Sequence, residues 1–222
     1  AIALPEGITT LSDNLFYNTG LTSFVIPESV TRVEFAALAG TKITTIHIPA
    51  NVEFIGDAAF YGCTNMTGIT FADGDKPLEL GTLENTKAAD GLFCGTKLAT
   101  FTVPNRVIQI GAYAFHNQTS LTTVTMGADC QLTDIGRYAF AVESGTSKLT
   151  SLTLGPNVKN ILAYAFYKSK VTNTLTIPKS VERIEDRAFQ SANIKQLIFE
   201  AGGTAPLTME GKYTFSGNAN LT

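Results

Sequence analysis

Apolar and polar residues alternate over short stretches of this chain, and many of these stretches end at a proline. The segment with Ile43, Ile46 and Ile48 shows the pattern, because polar residues separate its apolar ones and Pro49 follows directly. Such alternation is typical of a short, half-buried strand. Proline has no N–H to donate to a neighbouring strand, so pairing stops there. The sequence predicts one strand in each stretch, and the prolines that end them are Pro27, Pro49, Pro104 and Pro178.

A second pattern, V-x-x-I-G-x-x-A-F, follows the strand, as in residues 52–60 and 107–115. We expect V-x-x-I to turn the chain and the glycine to allow a tight bend. We expect the last four residues to form a short helical turn. The final residue recurs nine times and is called the anchor; the anchors are Phe16, Leu38, Phe60, Phe93, Phe115, Phe140, Phe166, Phe189 and Phe215.

Successive anchors are separated by 22, 22, 33, 22, 25, 26, 23 and 26 residues. A period near 22 lies within the range of about 20 to 29 residues for leucine-rich repeats. One repeat cannot bury its apolar side alone, whereas stacked repeats bury theirs against one another. The predicted fold is an α/β leucine-rich-repeat solenoid, a single domain over residues 1–222 with about nine coils. Short parallel strands occupy one face and short helical or irregular segments the other, with the anchors stacked inside.

The longest interval separates Phe60 from Phe93 and places an insertion in the fourth coil, near residues 72–89. The repeat pattern is largely lost there, so we expect the stretch from Asp73 to Ala89 to protrude as a loop. The pattern begins inside a coil and stops where another strand is due, without the polar caps of an isolated solenoid. We therefore expect the natural protein to continue on at least one side.

Three near-complete copies of a longer motif, I-P-x-x-V-x-x-I-G-x-x-A-F, occupy residues 48–60, 103–115 and 177–189. Over essentially the whole chain this motif resembles the BspA-type leucine-rich repeat, which is related to the repeats of Treponema surface proteins. The resemblance implies a cell-surface or secreted protein, as in Bacteroides-like bacteria and some mucosal parasites. It also implies a family in which some members bind host matrix proteins such as fibronectin or fibrinogen. It implies no catalytic residue and no cofactor. Leu38 in place of Phe, and Glu34-Phe35 in place of I-G, depart from the motif.

Composition and charge narrow the possible partners. Only 16% of the residues are charged, the formal net charge is -3, and lysine and arginine form no run. A basic field that attracts phosphate is therefore missing, and we expect no nucleic-acid partner. The longest apolar run, about Phe35 to Ala39, is far shorter than the roughly 20 residues of a membrane-spanning helix.

Candidates for chemistry are few, and each has a simpler explanation. Cys94 and His116 follow successive anchors and form the one nucleophile and base pair, but no acid is placed to orient the imidazole. Cys63 is expected to pack in the core, the alternative being a bridge to Cys94 between adjacent coils. Asp73 and Asp75 supply two carboxylates, which bind Ca²⁺ only with further ligands, so a solvated turn is expected. The sequence predicts neither an enzyme nor a metal site.

Two surface ladders remain as candidate partner-binding sites. The outward strand position is rich in threonine, of which the chain has 31, and reads Val25, His47, Thr70, Thr102, Thr125, Thr153, Thr176 and Ile198. One explanation for this ladder is that threonine favours strands and pairs with threonine on the neighbouring strand. The other is that the ladder forms a flat docking face for a protein or glycan. The second ladder lies two residues before the anchor and comprises Tyr113, Tyr138, Tyr164, Arg187 and Tyr213. Its rings either form an exposed, interface-like stripe or stack on one another and stiffen the rod.

Two classes of function follow. The first is a non-enzymatic binding or adhesion module on the cell surface or outside the cell, with a protein or glycan partner. The second is a structural spacer that holds other domains away from the cell surface.

Overall fold

A computed structural model describes residues 2, 4–5, 7–171 and 174–222. Within this part the chain forms a solenoid of nine coils, built from parallel strands of two to four residues. In chain order the strands are β1 (Thr10–Leu11), β2 (Arg32–Val33), β3 (Thr45–Ile48), β4 (Phe54–Ile55), β5 (Gly68–Phe71), β6 (Leu78–Leu80), β7 (Thr100–Val103), β8 (Val107–Ile110), β9 (Thr123–Met126), β10 (Asp134–Ile135), β11 (Ser151–Thr153), β12 (Asn160–Ile161), β13 (Thr174–Ile177), β14 (Arg183–Ile184), β15 (Gln196–Phe199) and β16 (Thr208–Met209).

The continuous sheet lies where the sequence predicted a turn. Nine strands pair in the order β1-β2-β4-β6-β8-β10-β12-β14-β16, and most of them come from the V-x-x-I segments. The pairing is parallel, with Val33 opposite Ile55 and Ile55 opposite Leu80. In this sheet the last apolar residue of the segment points inward, so even a two-residue strand buries one side chain.

The strand predicted before Pro27 is wrong, because residues 21–26 form no strand. The other strands that the sequence predicted form three short sheets instead of one. These sheets are β3-β5, β7-β9-β11 and β13-β15, all parallel. The expectation of a single sheet along this side is therefore wrong. The first interruption, between β5 and β7, coincides with the insertion in the fourth coil.

The expected helical turns are also wrong. A 3₁₀ helix at Ala88–Asp90 is the single helical element of the described residues. The residue two before the anchor has left-handed backbone torsions in eight coils, as at Tyr138 with φ of 54°. Around the anchors, alternate N–H groups donate to the next coil, as from Phe115 to the carbonyl of Ala139 at 2.7 Å. The others close turns within their own coil, as from His116 to Tyr113 at 3.0 Å, so the anchor segment is a third ladder between coils and not a helix.

The anchors form a continuous column inside the solenoid. Phe115 is fully buried and stacks on Phe93 at 4.8 Å and on Phe140 at 5.0 Å between ring centroids. The column continues through Phe166 and Phe189, whose neighbours lie 5.0 to 5.4 Å away. Offset aromatic stacking adds to the free energy gained by burying these rings.

The insertion in the fourth coil only partly matches the expected loop. Leu78 and Leu80 lie within the stretch expected to protrude, yet both are fully buried in β6 at the middle of the nine-stranded sheet. Asp73 and Asp75 before this strand and Glu84 after it are exposed. Leu78 and Leu80 of this L-E-L triplet supply the inward apolar residues of the fourth coil, as the V-x-x-I segments do in most other coils.

Candidate binding surface

The threonine ladder lies on the outside of the three short sheets. His47, Thr70, Thr102, Thr125 and Thr153 are exposed, and Thr176 is half-buried; together these six residues are called the hydroxyl face. They point outward because alternate residues of each strand point inward, as the buried Val103 and Val124 do. His47 Nδ1 lies 2.9 Å from the hydroxyl oxygen of Thr70 on the paired strand.

Breaks between the sheets divide the hydroxyl face into three patches. His47 pairs in register with Thr70, Thr102 with Thr125 and Thr153, and Thr176 with Ile198. The middle patch has three threonines side by side and no charged side chain among them. It is the longest uninterrupted part of the face.

The second ladder forms a stack that offers few free ring faces. Tyr138 lies parallel to Tyr113 at 5.0 Å and to Tyr164 at 4.5 Å between ring centroids. The guanidinium of Arg187 follows, 5.4 Å from the Tyr164 ring and 5.2 Å from the Tyr213 ring. These five residues are called the aromatic stack. Tyr113 is only 8% exposed and Tyr138 and Tyr164 are half-buried, whereas Tyr213 is 53% exposed. Of the two alternatives for this ladder, the ring stacking is the one that these contacts match.

A cleft opens between β5 and β7. It has a volume of about 590 Å³ and is bordered by both strands and by the segments that follow them. It brings Thr70 and Thr102 of the hydroxyl face together with Asp73 and Asp75 of the insertion. Asn105 and Arg106 complete its polar lining.

Arg106 at the edge of this cleft is buried and charged. It is 4% exposed, and its guanidinium donates to the carbonyl oxygens of Val52 at 2.6 Å and Pro49 at 3.1 Å. Burial lowers the pKa of Arg106, and Glu53 partly opposes this effect. A weaker bond, 3.4 Å long, reaches the carbonyl of Lys76 in the insertion. Arg106 thus ties together the segments beside the cleft.

The residues considered for chemistry are placed for structural roles. His116 is buried, and its Nε2 lies 3.1 Å from Glu143, whereas the described residues show no hydrogen bond between His116 and Cys94. Burial lowers the pKa of His116, and Glu143 partly opposes this effect. Burial also raises the pKa of the Cys94 thiol, which disfavours a reactive thiolate.

The cysteines do not form the alternative bridge. Cys63, Cys94 and Cys130 are all free. Cys63 is fully buried as expected, with Sγ 3.3 Å from the hydroxyl of Thr41 and 3.2 Å from the carbonyl of Leu38. Among the residues that the structure describes, no three acidic, histidine or cysteine side chains are grouped to hold a metal ion. The described part of the chain also contains no helix long and apolar enough to cross a membrane.

The cleft and Arg106 are the features that sequence reasoning missed. A signal was present, because the interval of 33 residues marked a break in the repeat at this position. The same interval did not show that the insertion would separate β5 from β7 while keeping β6 in the continuous sheet. Arg106 itself occupies a position that holds a serine or an asparagine in other copies of the motif, as at Asn51 and Ser180.

A scan of protein families finds six copies of a repeat described as the BspA type leucine rich repeat region, matching residues 1–90 and 86–222. No curated protein sequence matches the chain. Several solved structures are similar to the chain, among them three of bacterial proteins. A leucine-rich repeat protein from Bacteroides ovatus shares 20% identity, with a TM-score of 0.51 over 96% of this chain and 69% of that protein.

The other two structures have lower TM-scores. A leucine-rich cell surface protein from Faecalibacterium prausnitzii shares 24% identity, with a TM-score of 0.43 over 90% of this chain. The pneumococcal vaccine antigen PcpA shares 16% identity, with a TM-score of 0.43 over 94% of this chain. This chain spans 59% and 64% of the lengths of these two proteins. The likeness to the Bacteroides ovatus structure supports the solenoid fold.

Proposed function

The chain belongs to the BspA-type leucine-rich repeat family, and from this premise we propose that it is a non-enzymatic protein-binding module. We further propose that it acts on the cell surface or outside the cell, as the family resemblance implies, and that its partner is an extracellular protein such as a host matrix protein. A glycan is the alternative partner.

The middle patch of the hydroxyl face carries this proposal. Thr102, Thr125 and Thr153 lie side by side on three hydrogen-bonded strands and are exposed. A row of hydroxyl groups on a rigid sheet donates and accepts hydrogen bonds in many directions. Stacked repeats present such extended surfaces, which single loops do not match. Since the patch is uncharged, binding through it is expected to be modest in affinity and weakly dependent on salt.

The aromatic stack is the competing surface. Tyrosine and arginine are enriched at interface hot spots. Here the ring faces of Tyr113, Tyr138 and Tyr164 contact one another, so a partner meets mainly ring edges. The stack is therefore expected to contribute less to binding than the hydroxyl face.

A structural spacer is the second proposal, supported by the column of anchors. The rings of seven anchors, from Phe60 to Phe215, stack in one series without a gap. Such a column resists bending of the solenoid, as a spacer requires. A stiff column serves a binding module equally well. The two proposals therefore differ only in whether substitutions on the surface change the binding of a partner.

The test is binding of the folded chain to immobilised matrix proteins and to a glycan array. We expect a variant with Thr102→Lys, Thr125→Lys and Thr153→Lys to lose binding and Tyr138→Ala to have a smaller effect. The control adds the same charge elsewhere through Thr10→Lys, Thr86→Lys and Thr208→Lys, all at exposed positions. If Tyr138→Ala alone abolishes binding, the aromatic stack is the docking surface. If neither variant changes binding, or if the chain binds neither the matrix proteins nor the glycans, the result favours the spacer proposal.

A further inference from the structure

We propose that the cleft between β5 and β7 takes up an extended segment of a partner protein that carries a basic side chain. The segment adds as a strand between β5 and β7. This inference rests on the proposed protein-binding function and names the kind of partner segment and the place where it docks.

β5 and β7 lie farther apart than paired strands do, although the segments directly before them are joined by a hydrogen bond from the N–H of Lys97 to the carbonyl of Met66 at 2.7 Å. The added strand therefore begins after this bond. Hydrogen-bonded strands lie about 4.8 Å apart, so two strands with a third between them are separated by about 9.6 Å. Nearly all Cα pairs between β5 and β7 are more than 8 Å apart, and no pairing joins these two strands, both of which are fully described. At the other interruption, β11 and β13 still approach within 8 Å. Of the two interruptions between the short sheets, the one at the fourth coil is therefore the wider.

The backbone edges that face the cleft are free for hydrogen bonding. Gly68 and Ala72 donate their N–H groups to Thr44 and Ile48 of the preceding coil, so even-numbered residues of β5 face β3. Successive residues of a strand direct their backbone groups to opposite sides. Ile69 and Phe71 therefore direct theirs toward the cleft.

The same argument holds for β7. The carbonyl of Ala99 accepts from the N–H of Thr122 in the following coil at 2.8 Å, so odd-numbered residues here face β9. Thr100 and Thr102 then direct their backbone groups toward the cleft from the other side. Two parallel, unpaired edges of four residues each form a template about 13 Å long for one extended segment.

Aromatic side chains separate the floor of the cleft from the core, so the cleft is open only toward solvent. Phe71 and Phe101 meet below it edge to face, with ring centroids 6.2 Å apart. Arg106 also lines the cleft, and its guanidinium is held by the carbonyls of Val52 and Pro49. An added strand therefore pairs with β5 and β7 without entering the core.

The charges around the cleft select the partner. Its ionisable lining residues are Asp73, Asp75 and Arg106. Both aspartates are exposed, whereas Arg106 is buried and already bonded to carbonyl oxygens. Lys76, the nearest cation along the insertion, is paired with Glu53 at 2.5 Å. The accessible charge is therefore negative and complements a lysine or arginine of the incoming segment.

The test begins with a library of random peptides displayed on phage and selected against the folded chain. Selected sequences are then made as synthetic peptides, and their affinities are measured at low and high salt. We expect the selected peptides to carry lysine or arginine and to bind more weakly at high salt. Asp73→Lys with Asp75→Lys should weaken binding about tenfold or more. The matched control, Glu84→Lys with Asp129→Lys, changes two exposed acids outside the cleft and should leave affinity unchanged.

Two further measurements identify the binding mode. Bound peptide should slow amide hydrogen exchange at Ile69, Phe71, Thr100 and Thr102, because these N–H groups become hydrogen-bonded. Methylating alternate backbone nitrogens of the peptide should weaken binding in both registers of methylation, because an added strand pairs with β5 on one side and with β7 on the other. Loss of binding in one register alone would show that the peptide uses a single edge and would contradict a strand added between β5 and β7. Protection confined to other residues would contradict an added strand.

Other outcomes would overturn the inference without contradicting the proposed protein-binding function. The inference is wrong if no peptide is selected, or if the variant with Asp73→Lys and Asp75→Lys, called the rim variant, binds the selected peptides as well as the parent chain does. It is also wrong if a glycan occupies the cleft with the same dependence on Asp73 and Asp75. A variant with Thr125→Lys and Thr153→Lys changes the hydroxyl face without changing the cleft, because neither residue lines the cleft. If a matrix protein no longer binds this variant but still binds the rim variant, the hydroxyl face is the docking surface and the cleft is not.

Discussion

The guanidinium of Arg106 donates a hydrogen bond to the carbonyl oxygen of Pro49, 57 residues earlier in the chain, over a distance of 3.1 Å. A second bond reaches the carbonyl of Val52 at 2.6 Å. Both acceptors precede β4, whereas Arg106 precedes β8, and the strand between β4 and β8 in the sheet is β6. Arg106 therefore spans the coil that contains the insertion and joins the regular repeats on either side of it.

Arg106→Met is expected to destabilise the fold by about 2 to 4 kcal/mol, since it leaves the buried carbonyl of Val52 without its partner. Equilibrium unfolding in urea measures the change. Arg183→Met is the matched control, because Arg183 is half-buried and pairs with Glu185 near the surface. Its cost should stay below about 1 kcal/mol. Equal costs for the two variants would show that Arg106 does not hold the coils together.

Phe115→Ala is expected to cost about 3 to 5 kcal/mol, the range for removing a large buried aromatic side chain. Phe115 is fully buried and contacts Phe93, Phe101 and Phe140 at ring centroid distances of 4.6 to 5.0 Å.

The control for this prediction lies at the end of the same column. Phe215 is half-buried and has one stacked neighbour, Phe189 at 5.4 Å. Phe215→Ala should therefore cost less than half as much as Phe115→Ala, measured by the same unfolding experiment. A small loss at Phe115 would contradict its inward placement.

The regular coils could be predicted from the sequence because their period, anchors and strand alternation depend on local burial. Each inward position must be apolar, and outward positions of the strands are free to be threonine, as at Val103 and Thr102. Stacking identical units then requires parallel pairing. The nine coils, the parallel strands and the burial of every anchor except Phe215 are accordingly confirmed.

The connections could not be predicted, because their conformations leave little trace in residue type. The left-handed position before the anchor holds asparagine, alanine, tyrosine or arginine in different coils, and A-x-A-F also suits a helical turn. The two-residue strands of the continuous sheet are too short to show alternation. The cleft depends on how far the insertion separates β5 from β7, and Arg106 acts across two coils, so neither is encoded within one repeat.

Tyr138→Gly is expected to be less destabilising than Tyr138→Ala by about 1 kcal/mol, because glycine adopts left-handed torsions without the cost that other residues bear. Tyr138 has φ of 54°, and both variants remove its ring from the aromatic stack. Thermal and urea unfolding of the two variants measure the difference. The neighbouring Arg137 has no positive φ. Arg137→Gly should therefore be no more stable than Arg137→Ala, and the same order at both sites would contradict a role for backbone strain.

Protonation of His116 is expected to make the fold less stable in mild acid. Burial lowers the pKa of His116 in the folded chain below its ordinary value of 6.5, and Glu143 opposes the shift without reversing it. As the pH falls, the unfolded chain therefore binds this proton before the folded chain does. The contribution of His116 to stability is present above the unfolded pKa and is lost as the pH falls below it, toward the lowered folded pKa.

Unfolding in urea at about pH 7.5 and at about pH 5 measures this effect, which is limited to about 1.4 kcal/mol per pH unit for one proton. We expect His116→Gln to lose less stability over this interval than the parent chain, because all other titrating groups are common to both. Glu143→Gln removes the charge that favours protonated His116, which lies 3.1 Å away. The pKa of His116 then falls further and the loss of stability in acid becomes larger. An unchanged pH dependence in His116→Gln would show that another group controls the acid sensitivity of the fold.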